Sequence, residues 1–348
     1  PPAELRGVQE SPGSVATQLF VAISMELLAK EEFHGLEVRK MMVSTSAVHS
    51  LLTLICVSSP AVCCHALKAL VYLSETLETH NTLVDNLDRL LRSIQNDLAT
   101  STCLAHILAN LVNNYNPNAD IRKWALLSSD DVLGAILSLA EDGIEANNNA
   151  LESGRKIDLV EGQRLLHQAM RALGGYLEIL YSRHGEGTAM EITAASTFSD
   201  SSTFAMGKLK RSVSAPVSTS SFRSTTTLPG RQSDPSTVTK NRGKDGLSRD
   251  EFLSLLDIVI PCLQSRYTEL RCEGYRAVSE LAKVPRHHNK IVSMAGRFLI
   301  APPVTDSNDC IQPNDIMRYI ERSLGYLGFD PSSDIQLCQF DAILFENW

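Results

Sequence analysis

An all-α solenoid of stacked helical repeats is the fold class this 348-residue sequence predicts, and three observations carry it. First, blocks recur. Ala61 to Asn96 (AVCCHALKALVYLSETLETHNTLVDNLDRLLRSIQN) aligns with Thr102 to Glu141 (TCLAHILANLVNNYNPNADIRKWALLSSDDVLGAILSLAE). Val84 then corresponds to Leu127, 43 positions on, and Val43 lies 41 positions before Val84. A period in the low forties without strand punctuation points to helical units stacked in series. Second, apolar residues fall at i, i+3, i+4 and i+7 in one segment after another, the spacing of a helix face. Third, 43% of residues are apolar but only 6% are aromatic, so Ala and Leu must do most of the packing, as in thin helix-on-helix layers. A repeat of this kind cannot bury a core alone, and an array of them builds a long surface. The fold class therefore points to recognition.

The elements follow in order. Residues 1–14, PPAELRGVQESPGS, are polar and Pro-rich, which predicts a flexible N-terminal segment and not a secretory signal. A first block of repeats is expected over 15–195. Within it, 15–30 reads as a long helix and 37–57 as a second run. Pro60 then opens AVCCHALKALVYLSE, since proline suits the first helical position. Further helices are expected at 98–114, 119–141 and 162–182. Residues 141–158, EDGIEANNNALESGRKID, are polar and Asn-rich without periodicity, and predict a loop between helices. From 196 to 248 the chain turns to Ser, Thr, Pro, Gly, Lys and Arg, and cannot bury enough surface to offset its chain entropy, so disorder is expected. Helical periodicity resumes at Asp250, and 249–348 predicts a second block that continues the same solenoid. RALGGYLEILYSRHGEGTAMEI before the tract and EFLSLLDIVIPCLQ after it read as successive helices of one unit. The tract is thus an insertion within a repeat, tolerable because each doubling of a loop costs only about 0.6 kcal/mol.

Bulk properties narrow the function further. A net charge of −8 argues against a nucleic-acid protein, which needs clustered Lys and Arg for phosphates. No apolar run reaches the roughly 18 residues of a membrane span. The eight cysteines, Cys56, Cys63, Cys64, Cys103, Cys262, Cys272, Cys310 and Cys338, lie mostly in apolar helical runs with no C-x-x-C pair. Free thiols used as small buried hydrophobes suit a reducing compartment, so a cytoplasmic (and also nuclear) location is expected. The missing initiator Met and an end at FENW, inside a helical pattern, read as a piece of a longer protein.

The blocks resemble armadillo repeats, a unit of one short, one intermediate and one long helix. HHNKIVSMAGRFLI (His287 to Ile300) is similar to the family's N-x-x-I-V-x-x-G turn between first and second helices, with Asn289, Val292 and Gly296 matching. HNTLVDNLDRLL keeps Asn81 and Val84 without the turn glycine. The third-helix pattern A-L-x-A-L-x-N-L-A is matched by ALKALVYLS from Ala66, HILANLV from His106 and GYRAVSELA from Gly274. AMRALGGYL from Ala169 and ERSLGYLG from Glu321 match more loosely. The resemblance implies a right-handed superhelical solenoid of about five to six repeats, and a HEAT-type solenoid shares the period.

The resemblance also implies a binding groove lined by the third helices. In the importin-alpha group of this family, each third helix presents a Trp and, four residues on, an Asn, which clamp a basic peptide. Here the Trp positions fall on Lys68, His106, Arg171, Arg276 and Arg322. The Asn positions fall on Tyr72, Asn110, Gly175, Glu280 and Tyr326. Only Asn110 fits, so recognition of nuclear-localisation peptides is not expected. Four basic side chains and a histidine stacked in a ladder would instead attract an acidic extended partner through its carboxylates, unless they merely cover a solvated helix face. Lys68, Tyr72, His106, Asn110, Arg171, Arg276, Glu280, Arg322 and Tyr326 are the candidate groove residues.

Inside the 196–248 tract, Arg211-Ser212-Val213-Ser214-Ala215-Pro216 fits R-S-x-S-x-P and resembles a 14-3-3 docking site once Ser214 is phosphorylated. Arg211, with Lys210 beside it, suits an acidic kinase cleft, and the added phosphate gives an Arg cluster on the reader something to hold. Arg223 and Arg231, each near serines, mark weaker sites. Catalytic patterns are absent: no G-x-S-x-G, no phosphate loop, no G-x-G-x-x-G, no H-E-x-x-H. RHGEGT (Arg183 to Thr188) reads as a helix-ending loop. His287-His288 lack further metal ligands at suitable spacing and read as loop residues. NYNPNAD, Asn114 to Asp120, lacks the glycine and twelfth-position Glu of a calcium loop. The expectation is a non-catalytic scaffold or adaptor with no metal or cofactor, the alternative being the regulatory region of a larger hydrolase or kinase.

Overall fold

Every regular element in the computed structural model is helical among the residues it describes, which are 12–31, 34–56, 59–93, 97–114, 121–182, 246–300 and 313–329. The chain divides into two units, one of Pro1–Gly185 with Leu247–Trp348 and one of Glu186–Gly246; all the described helices belong to the first. In order they are α1 (Pro12–Lys30), α2 (Gly35–Ser44), α3 (Ala47–Leu54), α4 (Pro60–Leu73), α5 (Leu77–Asp85), α6 (Leu87–Arg92) and α7 (Leu98–Asn113). After these come α8 (Ile121–Leu127), α9 (Asp130–Ser153), α10 (Lys156–Ser182), α11 (Arg249–Leu263), α12 (Thr268–Leu281), α13 (His288–Ile300) and α14 (Pro313–Tyr326), with a 3-10 turn at Pro285–His287 before α13.

Local chemistry sets the boundaries. Pro60 occupies the first turn of α4, where its missing N–H costs nothing. Asp97 caps α7 by accepting from Thr100 N at 3.2 Å. Ser248 and Glu251 form a reciprocal capping box at α11. The second run, 37–57, forms two helices, α2 and α3. Ser44 and Thr45 turn their hydroxyls onto the carbonyl of Met41, at 2.8 and 3.0 Å, and Ser46 takes a left-handed φ of 60°. Short hydroxyl side chains that bond the backbone locally compete with the helix, and here they end it.

The expected loop at 141–158 is not a loop. Helix α9 runs through EDGIEANNNALES to Ser153, Gly154 ends it with φ 67°, and α10 starts at Lys156. Small residues explain this. A Cβ on Gly143 would lie 2.9 Å from Leu166 N, and one on Gly162 would lie 2.7 Å from Asn147 Oδ1. The two helices approach so closely that packing overrides the weak helix propensity of three successive asparagines. The expected turn at Gly296 is also absent: Gly296 is buried inside the continuous helix α13.

The long helices pack in sequence. Helix α1 lies against α4, α4 against α7, α7 against α10, α10 against α12 and α12 against α14. Among the shorter helices, α5 touches α2, α3 and α8, while α11 touches α9, α12 and α13. The order passes from α10 to α12 across residues 183–245, so the sequence on both sides of that interval contributes to one core. That core is a single apolar cluster from Ala29 to Leu324, built chiefly of Ala, Leu, Val and Ile. Helix α10 sits between two neighbours because Gly174 and Gly175 are adjacent. A Cβ on Gly175 would lie 2.7 Å from Val112 Cγ2 of α7, and one on Gly174 would lie 3.1 Å from Arg276 Cδ of α12.

Candidate partner-binding face

The long helices bring part of the expected ladder together. Lys68 and Tyr72 sit one turn apart on α4, and His106 on α7 beside them. These three share the wall of a cavity of about 510 Å³ with Glu26 of α1, Glu75, and Glu161, Arg164 and Gln168 of α10. Arg171, the next ladder residue, lies on the same face of α10, since 161, 164, 168 and 171 follow helical spacing. Its Nη1 donates to Gln168 Oε1 at 3.5 Å, and its carbonyl accepts from Asn113 Nδ2 at 3.1 Å.

Electrostatics divide this face. Burial, then the cations Arg171 and Arg164 together with His167, pushes His106 down to about 4, so its imidazole is neutral at physiological pH. Glu26 is bonded to His65, Glu75 lies 3.9 Å from Arg39, and Glu161 lies 3.4 Å from Arg164. Among the described residues no carboxylate lies within ion-pair distance of Lys68 or Arg171. Lys68 instead approaches Cys64, offsetting part of the rise that burial imposes on that thiol.

Farther along, the ladder is neutralised from within. Arg276 is 2.8 Å from Glu178 of α10 and 3.5 Å from Glu273 of its own helix, so it ties α10 to α12. Arg322 lies 3.7 Å from Glu280, and its Nε donates to the Tyr326 hydroxyl at 3.4 Å. Glu280 is only 2% exposed and also takes Lys283. Asn110, the one residue matching the peptide-clamping pattern, is 3% exposed and donates from Nδ2 to Ser74 Oγ at 2.9 Å, joining α7 to the end of α4. Asn110 and Glu280 are therefore internal fasteners and not presented groups, because each already has its partner inside the fold.

Sequence reasoning missed Glu26, Glu75, Glu161, Arg164 and Gln168. Arg164, Gln168 and Arg171 lie at helical spacing within the helix expected at 162–182, and only the turn carrying Glu161 fell before it. The histidines 287 and 288 also differ from their expected loop setting: His287 is buried and stacked on Phe252, and His288 Nε2 lies 2.8 Å from the Ala282 carbonyl. Cys63 is fully buried and Cys64 half-buried, so the pair divides between core and flank. Burial raises the Cys63 thiol to about 11, which makes it a poor nucleophile. Among the described residues no group of three His, Cys, Asp or Glu is placed to hold a metal ion, and no helix is long and apolar enough to cross a membrane. Arg211, Ser212, Ser214 and Pro216, the RHGEGT turn, most of NYNPNAD and the last expected helix at 334–348 lie outside the described residues.

No family model matches the sequence. No curated protein matches it either. Two solved structures resemble the fold, both titled as engineered proteins of the Northeast Structural Genomics Consortium. One has a TM-score of 0.51 at 15% identity over 90% of this chain and 91% of its own. The other has a TM-score of 0.51 at 13% identity over 96% of this chain and 68% of its own. At that identity the likeness concerns the fold alone.

Proposed function

We propose that this chain is an armadillo-like helical-repeat scaffold that holds a protein segment along the face shared by its long helices, without catalysing a reaction. The observation that carries the reading is the serial packing of α1, α4, α7, α10, α12 and α14, with a cavity opening where α1, α4, α7 and α10 meet. Stacked helices that bury one common core leave a continuous side-chain surface, and such surfaces suit extended partners. Of the ladder cations, Lys68 and Arg171 have no carboxylate within ion-pair distance among the described residues, so the acidic part of a partner would sit on α4 to α10. Arg276 and Arg322 are discharged locally and would contribute shape and hydrogen bonds more than charge. The test is recovery of bound protein by the wild-type chain and by the Lys68→Glu/Arg171→Glu variant.

The tract carrying Arg211, Ser212, Ser214 and Pro216 would act as a phosphorylation-controlled docking segment for 14-3-3, in a cytoplasmic setting. The support is the filled R-S-x-S-x-P pattern, with a basic residue three positions before Ser214. Ser214→Ala is expected to abolish a phosphatase-sensitive 14-3-3 complex measured by co-precipitation. A complex that survives the substitution contradicts this role.

A further inference from the structure

Helix α1 is apolar on two faces, and the fold buries one of them. Ala22 and Ala29 are fully buried, Met25 packs on the core, and Glu26 bonds His65 of α4. The opposite side is open: Phe20 is 72% exposed, Leu27 63%, Leu28 50% and Val21 36%. The helices that α1 packs on, α4, α2 and α3, leave these four side chains uncovered. With Thr17, Ser24 and Glu31 they form one stripe, because 17, 20, 21, 24, 27, 28 and 31 follow the three- and four-residue spacing of a helix face. Scattered exposed leucines are ordinary on a protein surface, whereas a contiguous apolar stripe marks a contact surface.

The order of residues along the stripe says what fits it. Apolar side chains stand three and four positions to either side of Ser24, and the polar Thr17 and Glu31 stand seven positions to either side. A stripe that reads alike in both directions is complementary to an antiparallel copy of itself, as a two-fold interface requires. An axis through Ser24 sets Phe20 against Leu28 of the second copy, and Val21 against Leu27. Ser24 suits that axis, being small, and its hydroxyl already donates to the Phe20 carbonyl at 2.8 Å, so covering it strands no donor. Between Thr17 and Glu31 the stripe holds no charged residue, so nothing in it repels its own copy. The four apolar side chains expose on the order of 450 Å² per copy, so pairing removes roughly 900 Å² before flanking residues are counted. That approaches the lower bound of about 1,000 Å² for a specific interface and fits a weak, concentration-dependent pair.

We propose that the Phe20, Val21, Leu27 and Leu28 stripe is a homodimer surface, covered by α1 of a second copy of this chain lying antiparallel about Ser24. The inference rests on α1 and goes beyond the scaffold reading. Pairing through α1 joins two chains, so a partner with two binding segments is held by both at once.

Sedimentation equilibrium of the full chain between about 1 and 200 μM is expected to show a monomer–dimer equilibrium. Phe20→Glu/Leu28→Glu, at two exposed positions, is expected to weaken it at least tenfold with unchanged circular dichroism. Ile157→Glu, at an 80% exposed position of α10, is expected to leave it as it is. The register has its own test. Phe20→Lys/Leu28→Glu loses the same apolar area, but antiparallel pairing sets each introduced cation against an introduced carboxylate, whereas parallel pairing opposes like charges. It is expected to dimerise at least tenfold more tightly than both Phe20→Glu/Leu28→Glu and Phe20→Lys/Leu28→Lys. A monomer at every concentration overturns the proposal, whether another partner or none covers the stripe. So does a dimer that survives Phe20→Glu/Leu28→Glu, or one that Ile157→Glu weakens as much. A Lys/Glu variant no tighter than the two like-charged ones overturns the antiparallel arrangement. The variants leave Lys68 and Arg171 in place, so loss of the dimer is distinguishable from failure of the scaffold reading.

Discussion

Gly143→Ala is expected to destabilise the protein by about 1–3 kcal/mol, whereas Gly134→Ala on the same helix stabilises it by about 1 kcal/mol. The substitution is chemically identical, and in an exposed helix interior it is favourable because alanine loses less backbone entropy than glycine. Gly134 has nothing within 4 Å of an added Cβ, so it shows that intrinsic gain. At Gly143 the added carbon meets backbone atoms of Leu166, N at 2.9 Å and Cα at 3.0 Å, which cannot rotate away as a side chain would. Helices α9 and α10 must separate, and the contacts of Val132 to Ala150 along α10 loosen with them. Urea unfolding of the two variants, compared at constant m, reads the difference as midpoints moving in opposite directions. Two midpoints that move the same way would mean that 141–153 does not pack as a helix against α10.

The second large effect is expected at Tyr176, in the middle of α10. Its ring is fully buried, and its hydroxyl donates to the Ser128 carbonyl at 3.2 Å, across to the turn before α9. Truncating a buried aromatic to alanine costs about 3–5 kcal/mol, the lost transfer energy plus the cavity left behind. Tyr176→Phe keeps the packing and removes only the hydrogen bond, leaving a carbonyl underused at a cost of about 1 kcal/mol. Thermal or urea midpoints falling in the order wild type, Tyr176→Phe, Tyr176→Ala would place α10 at the mechanical centre of the fold. A Tyr176→Ala protein as stable as wild type would contradict that placement.

Helices whose apolar spacing dominates their composition were legible in the sequence. The runs at 15–30, 98–114 and 162–182 reappear as α1, α7 and part of α10, because their cores of Ala and Leu leave one way to face a neighbour. Elements decided by tertiary contact were not legible. The Asn-rich end of α9 forms because Gly143 and Gly162 permit close approach, and a glycine in isolation reads as a breaker. The α2–α3 break depends on the hydroxyls of Ser44 and Thr45 turning inward, which spacing does not reveal. The candidate face shows the same division. Lys68, Tyr72 and His106 line one cavity. The state of each ladder charge was hidden, because Arg276 finds Glu178, 98 residues away in sequence, and Arg322 finds Glu280. Pairing across helices is a property of the packed array, and no window of sequence contains it.

The buried pair at Glu280 shows how this affects recognition. A carboxylate 2% exposed is desolvated already, and Lys283 and Arg322 answer its charge inside the fold. A partner that competed for Arg322 would have to replace that contact, so under the scaffold proposal its acidic groups would be held near Lys68 and Arg171. The scaffold reading thus makes a positional claim: one stretch of the long-helix face selects the partner, and the rest shapes the path.

The most direct measurement of that claim is the affinity of a cross-link-identified protein partner for the wild-type chain, for Lys68→Glu/Arg171→Glu, and for Arg89→Glu/Arg92→Glu on exposed positions of α6. The account predicts a loss of at least tenfold for the first variant, about 1.4 kcal/mol of binding free energy, no change for the second, and unfolding midpoints close to wild type for both. Equal affinities for all three proteins, or a larger loss from the α6 variant, would contradict it.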